Sequence, residues 1–168
     1  RQRALLPWPN LRVTEPNIRF FVAHNAKGVF VQGAHDCLGS EFSDLRNYVV
    51  SRLLWDPNQT GESLMNEFLN LHYGRAGPPI RRYIDFIHND IKTKGYRYVI
   101  DHSIAEDGLK AFDEALSLAD YDDAIRTRVE KASICVYRAA IEEAWEWTRI
   151  NRAKLDKVKM PSEIAKRT

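Results

Sequence analysis

The sequence has little cysteine and no long apolar run, and each of these absences excludes a class of protein. Two cysteines occur among 168 residues, Cys37 and Cys135, so the close spacing of a zinc site or a dithiol redox motif is missing. No run of about 18 apolar residues could cross a bilayer. The sequence also lacks a nucleotide-binding glycine motif and a nucleophile elbow. We therefore expect no metal, no cofactor and no membrane span.

Charge of either sign is not in excess. The chain has 25 basic and 23 acidic residues and a net charge of +2, whereas a nucleic-acid-binding domain needs a basic stripe or patch. Acidic residues concentrate within 101–123 and basic ones within 149–168. We interpret both stretches as solvated faces and predict that the protein does not bind nucleic acid.

Hydrophobic residues make up 44% of the chain, which is enough for a folded core. From residue 40 onward they recur with a helical period, which predicts five helices between residues 40 and 148. Two stripes are expected to be buried: Ile80, Ile84, Ile87 and Ile91, and Ile125, Val129, Ala132 and Val136. Trp55 closes another stripe and is predicted to anchor the core.

Several residues predict where these helices begin and end. Thr60 is typical of a helix start, Gly74 of a stop, and Ser103 with Glu106 of a capping box. Asp120 is expected to cap the long fifth helix. Pro161 indicates the start of a further helix.

The first 40 residues show a different pattern. A helix is expected from Thr14, and the apolar run between Gly28 and Gly33 is typical of a strand buried on both faces. Residues 4–6 form a second candidate strand. Two parallel strands alone are only marginally stable, so we interpret these units as the end of a larger β/α barrel. The expected fold is mainly α, a helical bundle that follows the last β/α units of a barrel.

This interpretation divides the chain into terminal β/α units at 1–56 and a C-terminal helical domain at 57–168. The chain begins Arg1-Gln2-Arg3 without an initiator Met, which predicts a piece of a longer protein. The strands of an incomplete barrel would leave an exposed apolar surface. We expect self-association through that surface.

Short motifs support the barrel interpretation by resemblance. They include Leu6-Pro7-Trp8-Pro9-Asn10-Leu11, Asn17-Ile18-Arg19-Phe20-Phe21, Arg52-Leu53-Leu54-Trp55-Asp56-Pro57 and Tyr73-Gly74. In this order they resemble an uncharacterised bacterial family of glycoside-hydrolase-like proteins. In that family, a β/α barrel follows an α-glucuronidase-like or hexosaminidase-like domain, and its members carry a domain-of-unknown-function label. The resemblance covers about residues 5–92 and implies a periplasmic or extracellular protein of carbohydrate metabolism. It supplies no catalytic motif.

Glycoside hydrolysis usually needs two carboxylates about 5–10 Å apart, which in a barrel project from loops after the strands. Asp36 is therefore the candidate catalytic carboxylate, and Trp8, Gln32 and His35 are the candidate substrate-binding residues. The structural alternatives are a loop at His35 and Asp36 in which Asp36 is a turn former, Gln32 satisfied inside the barrel, and Trp8 packed under a loop. Glu41 is interpreted as a first-turn acid that complements a helix dipole.

Two functions follow from this interpretation. The first is the C-terminal part of a carbohydrate-active protein, a possible glycoside hydrolase that is catalytically incomplete in this chain alone because one candidate carboxylate is present. The second is a free-standing helical protein-interaction module without catalysis. Its surface would be the acidic stretch 101–123 or the helix that carries Trp145 and Trp147. The glycine-bounded strand favours the first, since an independent helical module does not need it.

Overall fold

The computed structural model describes residues 5–31, 40–94 and 101–155, and these ranges contain six α-helices and no β-strand. The helices are α1 (Thr14–Ala23), α2 (Ser43–Trp55), α3 (Gly61–Tyr73), α4 (Gly77–Lys94), α5 (His102–Leu118) and α6 (Asp123–Leu155). Short 3-10 helices span Leu11–Val13 and Gly74–Ala76. The prediction of a mainly α fold with five helices between residues 40 and 148 is confirmed. The helix expected from Pro161 lies outside the described residues.

The predicted ends of α3 are confirmed. Thr60 Oγ1 accepts a hydrogen bond from the Ser63 N–H at 3.2 Å, which satisfies a first-turn donor. Gly74 ends the helix at φ 52°, and a side chain there would also collide with the Tyr121 hydroxyl, 2.7 Å from the position of a Cβ. Only glycine fits both requirements.

The predicted caps of α5 and α6 are each wrong by two residues. Asp101, rather than Ser103 with Glu106, accepts from the backbone N–H groups at the start of α5, at 3.1 and 3.3 Å. Asp122, rather than Asp120, caps α6 with bonds of 2.8 and 3.1 Å. In each case a carboxylate two or three residues before the free donors reaches them best.

One hydrophobic core joins the helices, with α5 packed between α4 and α6, and α3 in contact with α2, α4 and α6. Both predicted stripes face this core. Ile80, Ile84 and Ile87 are fully buried, as are Val129 and Val136. The cluster extends from Leu11 to Val136 and so includes residues on both sides of position 56. The division into two domains at that position stays a prediction.

Gly108 sets how closely α5 approaches its neighbours. A Cβ at this position would lie 2.8 Å from Val136 Cγ1 on α6 and 2.9 Å from Tyr83 Cε2 on α4. Both distances are below van der Waals contact, and both neighbouring side chains are buried. The absence of a side chain at residue 108 therefore allows the three helices to pack together.

Two expectations on buried residues are wrong. Residues 28–31 form no strand, and Phe30 is 90% exposed, because no strand among the described residues offers hydrogen bonds to this segment. Leu5 and Leu6 form a turn rather than a strand. Trp55 is also 90% exposed, since it is the last residue of α2 and the helix ends before its ring can reach the core. Val29, Phe30 and Val31 are exposed, although they form no strand, and self-association through this surface stays a prediction. The barrel itself stays a prediction.

Candidate functional site

Trp8 is the one predicted site residue within the described ranges; Gln32, His35 and Asp36 lie outside them. Pro7 and Pro9 on either side of it are buried, whereas Trp8 is 53% exposed. Each proline fixes its own φ and restricts the residue before it. The ring is therefore held at the surface by a short segment whose neighbours are anchored in the protein.

A buried ion pair holds the backbone of Trp8 from both sides. The Glu41 carboxylate, which is almost completely buried, pairs with the guanidinium of Arg46. Glu41 also accepts a hydrogen bond from the Trp8 backbone N–H, and Arg46 Nη2 donates to the Trp8 carbonyl oxygen at 3.5 Å. The first loop of the chain is thereby fastened to the start of α2.

Burial dominates the electrostatics of Glu41. It raises the pKa of this carboxyl from 4.5 to about 7, although the charge of Arg46 and the hydrogen bonds from Arg46 and Trp8 act in the opposite direction. Loss of hydration disfavours the charged form, and one arginine does not fully replace that hydration. Glu41 Oε1 and Arg46 Nε are buried without a hydrogen-bond partner among the described residues. Glu41 therefore exchanges its proton near neutral pH.

The backbone beside Glu41 adopts a conformation that L-residues seldom use. Phe42 has φ 44° and ψ 36°, a left-handed conformation that costs a bulky residue about 1–2 kcal/mol. The Phe42 ring is buried and stacks on Phe112 with a centroid distance of 6.3 Å. Packing of this ring offsets the strain. The turn also directs the Glu41 side chain inward, so Glu41 precedes α2 instead of lying in its first turn, as the sequence interpretation had it.

Two further buried groups share the electrostatic surroundings of this pair. His88 Nδ1 donates to the carbonyl oxygen of Ile84 at 2.7 Å, and Nε2 has no partner in the part of the chain that the structure describes. Burial lowers the pKa of His88, and the positive charges of Arg12 and Arg46 lower it further. Burial and the charge of Glu41 raise the pKa of the Cys135 thiol. Both groups are therefore neutral at pH 7, and Cys135 is a buried free thiol.

A separate groove of about 200 Å³ is lined by residues of the 3-10 helix Leu11–Val13 and of helices α1, α2 and α3, and its charged side chains are paired. Its charged residues are Arg12, Glu15 and Glu62. Glu15 accepts from the Gly61 N–H at 2.7 Å and so caps α3, while Arg12 pairs with Asp85 at 2.5 Å. Glu62 pairs with an arginine of α4. The described residues that line the groove include no unpaired carboxylate for acid–base chemistry.

Within the described ranges, no three His, Cys, Asp or Glu side chains are placed to share a metal ion. No helix found there has both the length and the apolar character needed to cross a membrane. The described part of the site thus consists of one exposed ring, its backbone clamp and a carboxyl group that titrates near pH 7.

The sequence interpretation did not identify the Glu41–Arg46 pair as part of the site. The two residues are five positions apart, a spacing that does not bring side chains together on a regular helix. They meet because residue 42 leaves the helical conformation. A left-handed phenylalanine has no sequence signature, so only the structure could join Glu41 to Trp8.

No curated protein and no solved structure matches the chain. A protein-family model does match it, over residues 2–85, which are half of the chain. That segment contains the first loop, Trp8, Glu41 and Arg46, together with helices α1 to α3. The chain belongs to the family described as Domain of unknown function (DUF4838).

Proposed function

We propose that this chain is the C-terminal part of a carbohydrate-active protein and that it contributes a glycan-binding surface around Trp8. In this proposal Gln32 and His35 donate hydrogen bonds to sugar hydroxyls, and Asp36 acts as an acid or base. The helical bundle of this chain follows a β/α barrel in the intact protein, which is periplasmic or extracellular. These assignments follow the resemblance to glycoside-hydrolase-like proteins.

The observation that carries the proposal is the exposed ring of Trp8, whose backbone is held by two hydrogen bonds. Sugar-binding sites combine aromatic faces with a few fixed polar groups. The half-exposed ring satisfies the first requirement, and the clamp formed by Glu41 and Arg46 fixes its backbone. The backbone of Trp8 therefore loses little conformational freedom when a sugar stacks on the ring.

The same clamp supports a shared site for Trp8 and Asp36. Asp36 precedes Glu41 by five residues, and an extended chain of that length spans at most about 17 Å. Glu41 contacts the Trp8 backbone directly. The segment that carries Asp36 therefore ends at a residue that contacts Trp8, which supports a site shared by the two residues.

Substitutions in the full-length protein test this function. Asp36→Asn should lower turnover on the order of 100-fold or more and leave the melting temperature unchanged, as expected of a general acid or base. Trp8→Ala should weaken glycan binding. Trp55→Ala is the matched control, since it removes another exposed indole from a different part of the chain, and it should change neither property.

Two results would contradict the assignment of Asp36. The first is an Asp36→Asn protein with lower stability and unchanged activity per folded molecule, which would make Asp36 a turn former. The second is clear glycoside hydrolysis by residues 1–168 alone, because the proposal holds that this chain lacks a second catalytic carboxylate.

A helical protein-interaction module without catalysis is the second candidate function. The observation that favours it is the number of large apolar side chains that the bundle leaves uncovered on α6, including Tyr137 and Trp145. Isothermal titration with uronic-acid and N-acetylhexosamine oligosaccharides separates the candidates. A carbohydrate-active protein releases or absorbs heat with at least one of these glycans, whereas an interaction module does so with none.

A further inference from the structure

Helix α6 has two apolar faces, and the bundle covers only one of them. Val129, Val136 and Ala139 face the core and are buried. Ile134, Tyr137, Ile141 and Trp145 lie on the opposite side and are 40–67% exposed. Their spacing of three and four residues places them in one line along the helix. Single exposed apolar residues are ordinary, but a continuous apolar line of this kind marks an interface.

The line of exposed side chains continues at both ends with polar residues, and the spacing between successive members is symmetric about its centre. We call it the outer stripe, and its members are Glu130, Ile134, Tyr137, Ile141, Trp145, Thr148 and Arg152. The spacings along it read the same in both directions, with Ile141 at the centre. The stripe is about 33 Å long at 1.5 Å per residue. An acidic residue stands at one end and a basic residue at the other.

We propose that the outer stripe is a homodimer interface in which two copies of α6 pack antiparallel about a two-fold axis at Ile141. A two-fold interface must be complementary to itself, and this stripe is. Ile141 meets Ile141 of the partner subunit, and Tyr137 meets the partner's Trp145. Glu130 meets Arg152 of the partner subunit, and the same pair recurs at the other end. The interface is independent of glycan binding.

Charge fixes the direction of the two helices. In a parallel pair, Glu130 would face a second Glu130 and Arg152 a second Arg152, and both contacts are repulsive. The antiparallel pair replaces these contacts with two attractive ones. Glu130 is available for this role because its present partner, Arg126 at 3.2 Å, is half exposed like Glu130 itself, and such surface pairs contribute little.

The flanks of the stripe are compatible with close approach. Ala144 and Asn151 lie along one flank and carry no charge, so they permit the helices to come together. On the other flank, Arg138 pairs with Glu142 at 2.8 Å. An antiparallel neighbour presents the same two residues in reverse order, so each arginine also faces the partner's glutamate.

Sedimentation velocity on the 168-residue chain over a range of micromolar concentrations tests the proposal. Wild type should sediment as a dimer that dissociates on dilution. Ile141→Glu places two carboxylates together on the axis and should raise the dissociation constant by at least about 30-fold, as loss of a central interface residue does. Leu71→Glu is the control, because Leu71 is 70% exposed on α3, and it should leave the dimer intact. Far-UV circular dichroism verifies that both variants are folded.

A charge exchange tests the direction of packing. Glu130→Arg and Arg152→Glu should each weaken the dimer about tenfold, and the double variant should restore it, because the pairs are then reversed rather than lost. A wild-type chain that stays monomeric at all concentrations would overturn the proposal. So would a dimer that tolerates Ile141→Glu, or one that the double charge exchange fails to restore.

Discussion

Replacing Glu41 with glutamine should change how the stability of the protein depends on pH. Glutamine has nearly the same shape as the protonated carboxyl group but does not ionise. The pKa of Glu41 is about 7 in the folded chain and 4.5 in the reference state, so the folded protein binds the proton more tightly. The stability associated with this group is thus fully present below pH 4.5 and is lost as the pH rises through 7.

The pKa shift sets the size of this effect. One pKa unit corresponds to about 1.4 kcal/mol, so the rise from 4.5 to about 7 amounts to about 3 kcal/mol. Most of this loss falls between about pH 5 and pH 8. The Glu41→Gln variant does not ionise at this position, so it does not undergo this loss of stability. It should therefore be at least as stable as wild type at pH 8, even though an ion pair has been removed. The physical reason is that the loss of hydration outweighs the attraction of Arg46.

Urea unfolding of both proteins from about pH 5 to pH 8 measures this difference. The contribution of His88, whose lowered pKa acts in the opposite direction, largely cancels when the two curves are subtracted. Glu114→Gln is the control, since Glu114 pairs with Arg82 at the surface, and its curve should follow that of wild type. If Glu41→Gln is several kcal/mol less stable than wild type at pH 8, the ion pair is favourable overall and the reasoning is refuted.

Three further substitutions test the clamp, the packing and the caps. Arg46→Met removes the charge that lowers the pKa of Glu41. The stability of the variant should therefore fall between pH 5 and pH 8 by about 1–2 kcal/mol more than that of wild type. An unchanged dependence of stability on pH would contradict this. Gly108→Ala should destabilise the protein by about 1–2 kcal/mol in urea unfolding despite the higher helix propensity of alanine. Gly61→Ala, where a Cβ meets only ordinary contacts, should be neutral, and equal effects at both glycines would argue against the close packing of α5. Asp101→Ala should lower the melting temperature through a loss of about 1 kcal/mol, and no change would show that this cap is not needed.

The helical part of the fold could be predicted from the sequence because it depends on local periodicity. The spacing of Ile80, Ile84 and Ile87 predicts both the helix and the face that is buried. The prediction that Trp55 closes the apolar stripe of α2 is also confirmed, but the predicted burial of its ring is wrong. A stripe predicts which side of a helix is apolar, whereas burial of its last residue depends on where the neighbouring helices end.

The strand and the site depend on contacts that are not local. An apolar run such as 28–33 becomes a strand only beside another strand, so its sequence alone cannot decide the outcome. The two prolines beside Trp8 predict a restrained backbone, but they leave open whether its ring is exposed or packed under a loop. The clamp on this backbone could not be predicted, because Glu41 and Arg46 are brought together by a left-handed residue and by burial of Phe42.

The central claim is that Trp8 provides the glycan-binding face, and fluorine NMR of the full-length protein labelled with fluorotryptophan tests it most directly. Among its tryptophan signals, those of Trp8, Trp55, Trp145 and Trp147 can be assigned by single Trp→Phe substitutions. On titration with the uronic-acid and N-acetylhexosamine oligosaccharides, the signal of Trp8 should shift to saturation while that of Trp55 stays in place. A saturating glycan that leaves the Trp8 signal unmoved, or the absence of any shift with every glycan, would contradict the account.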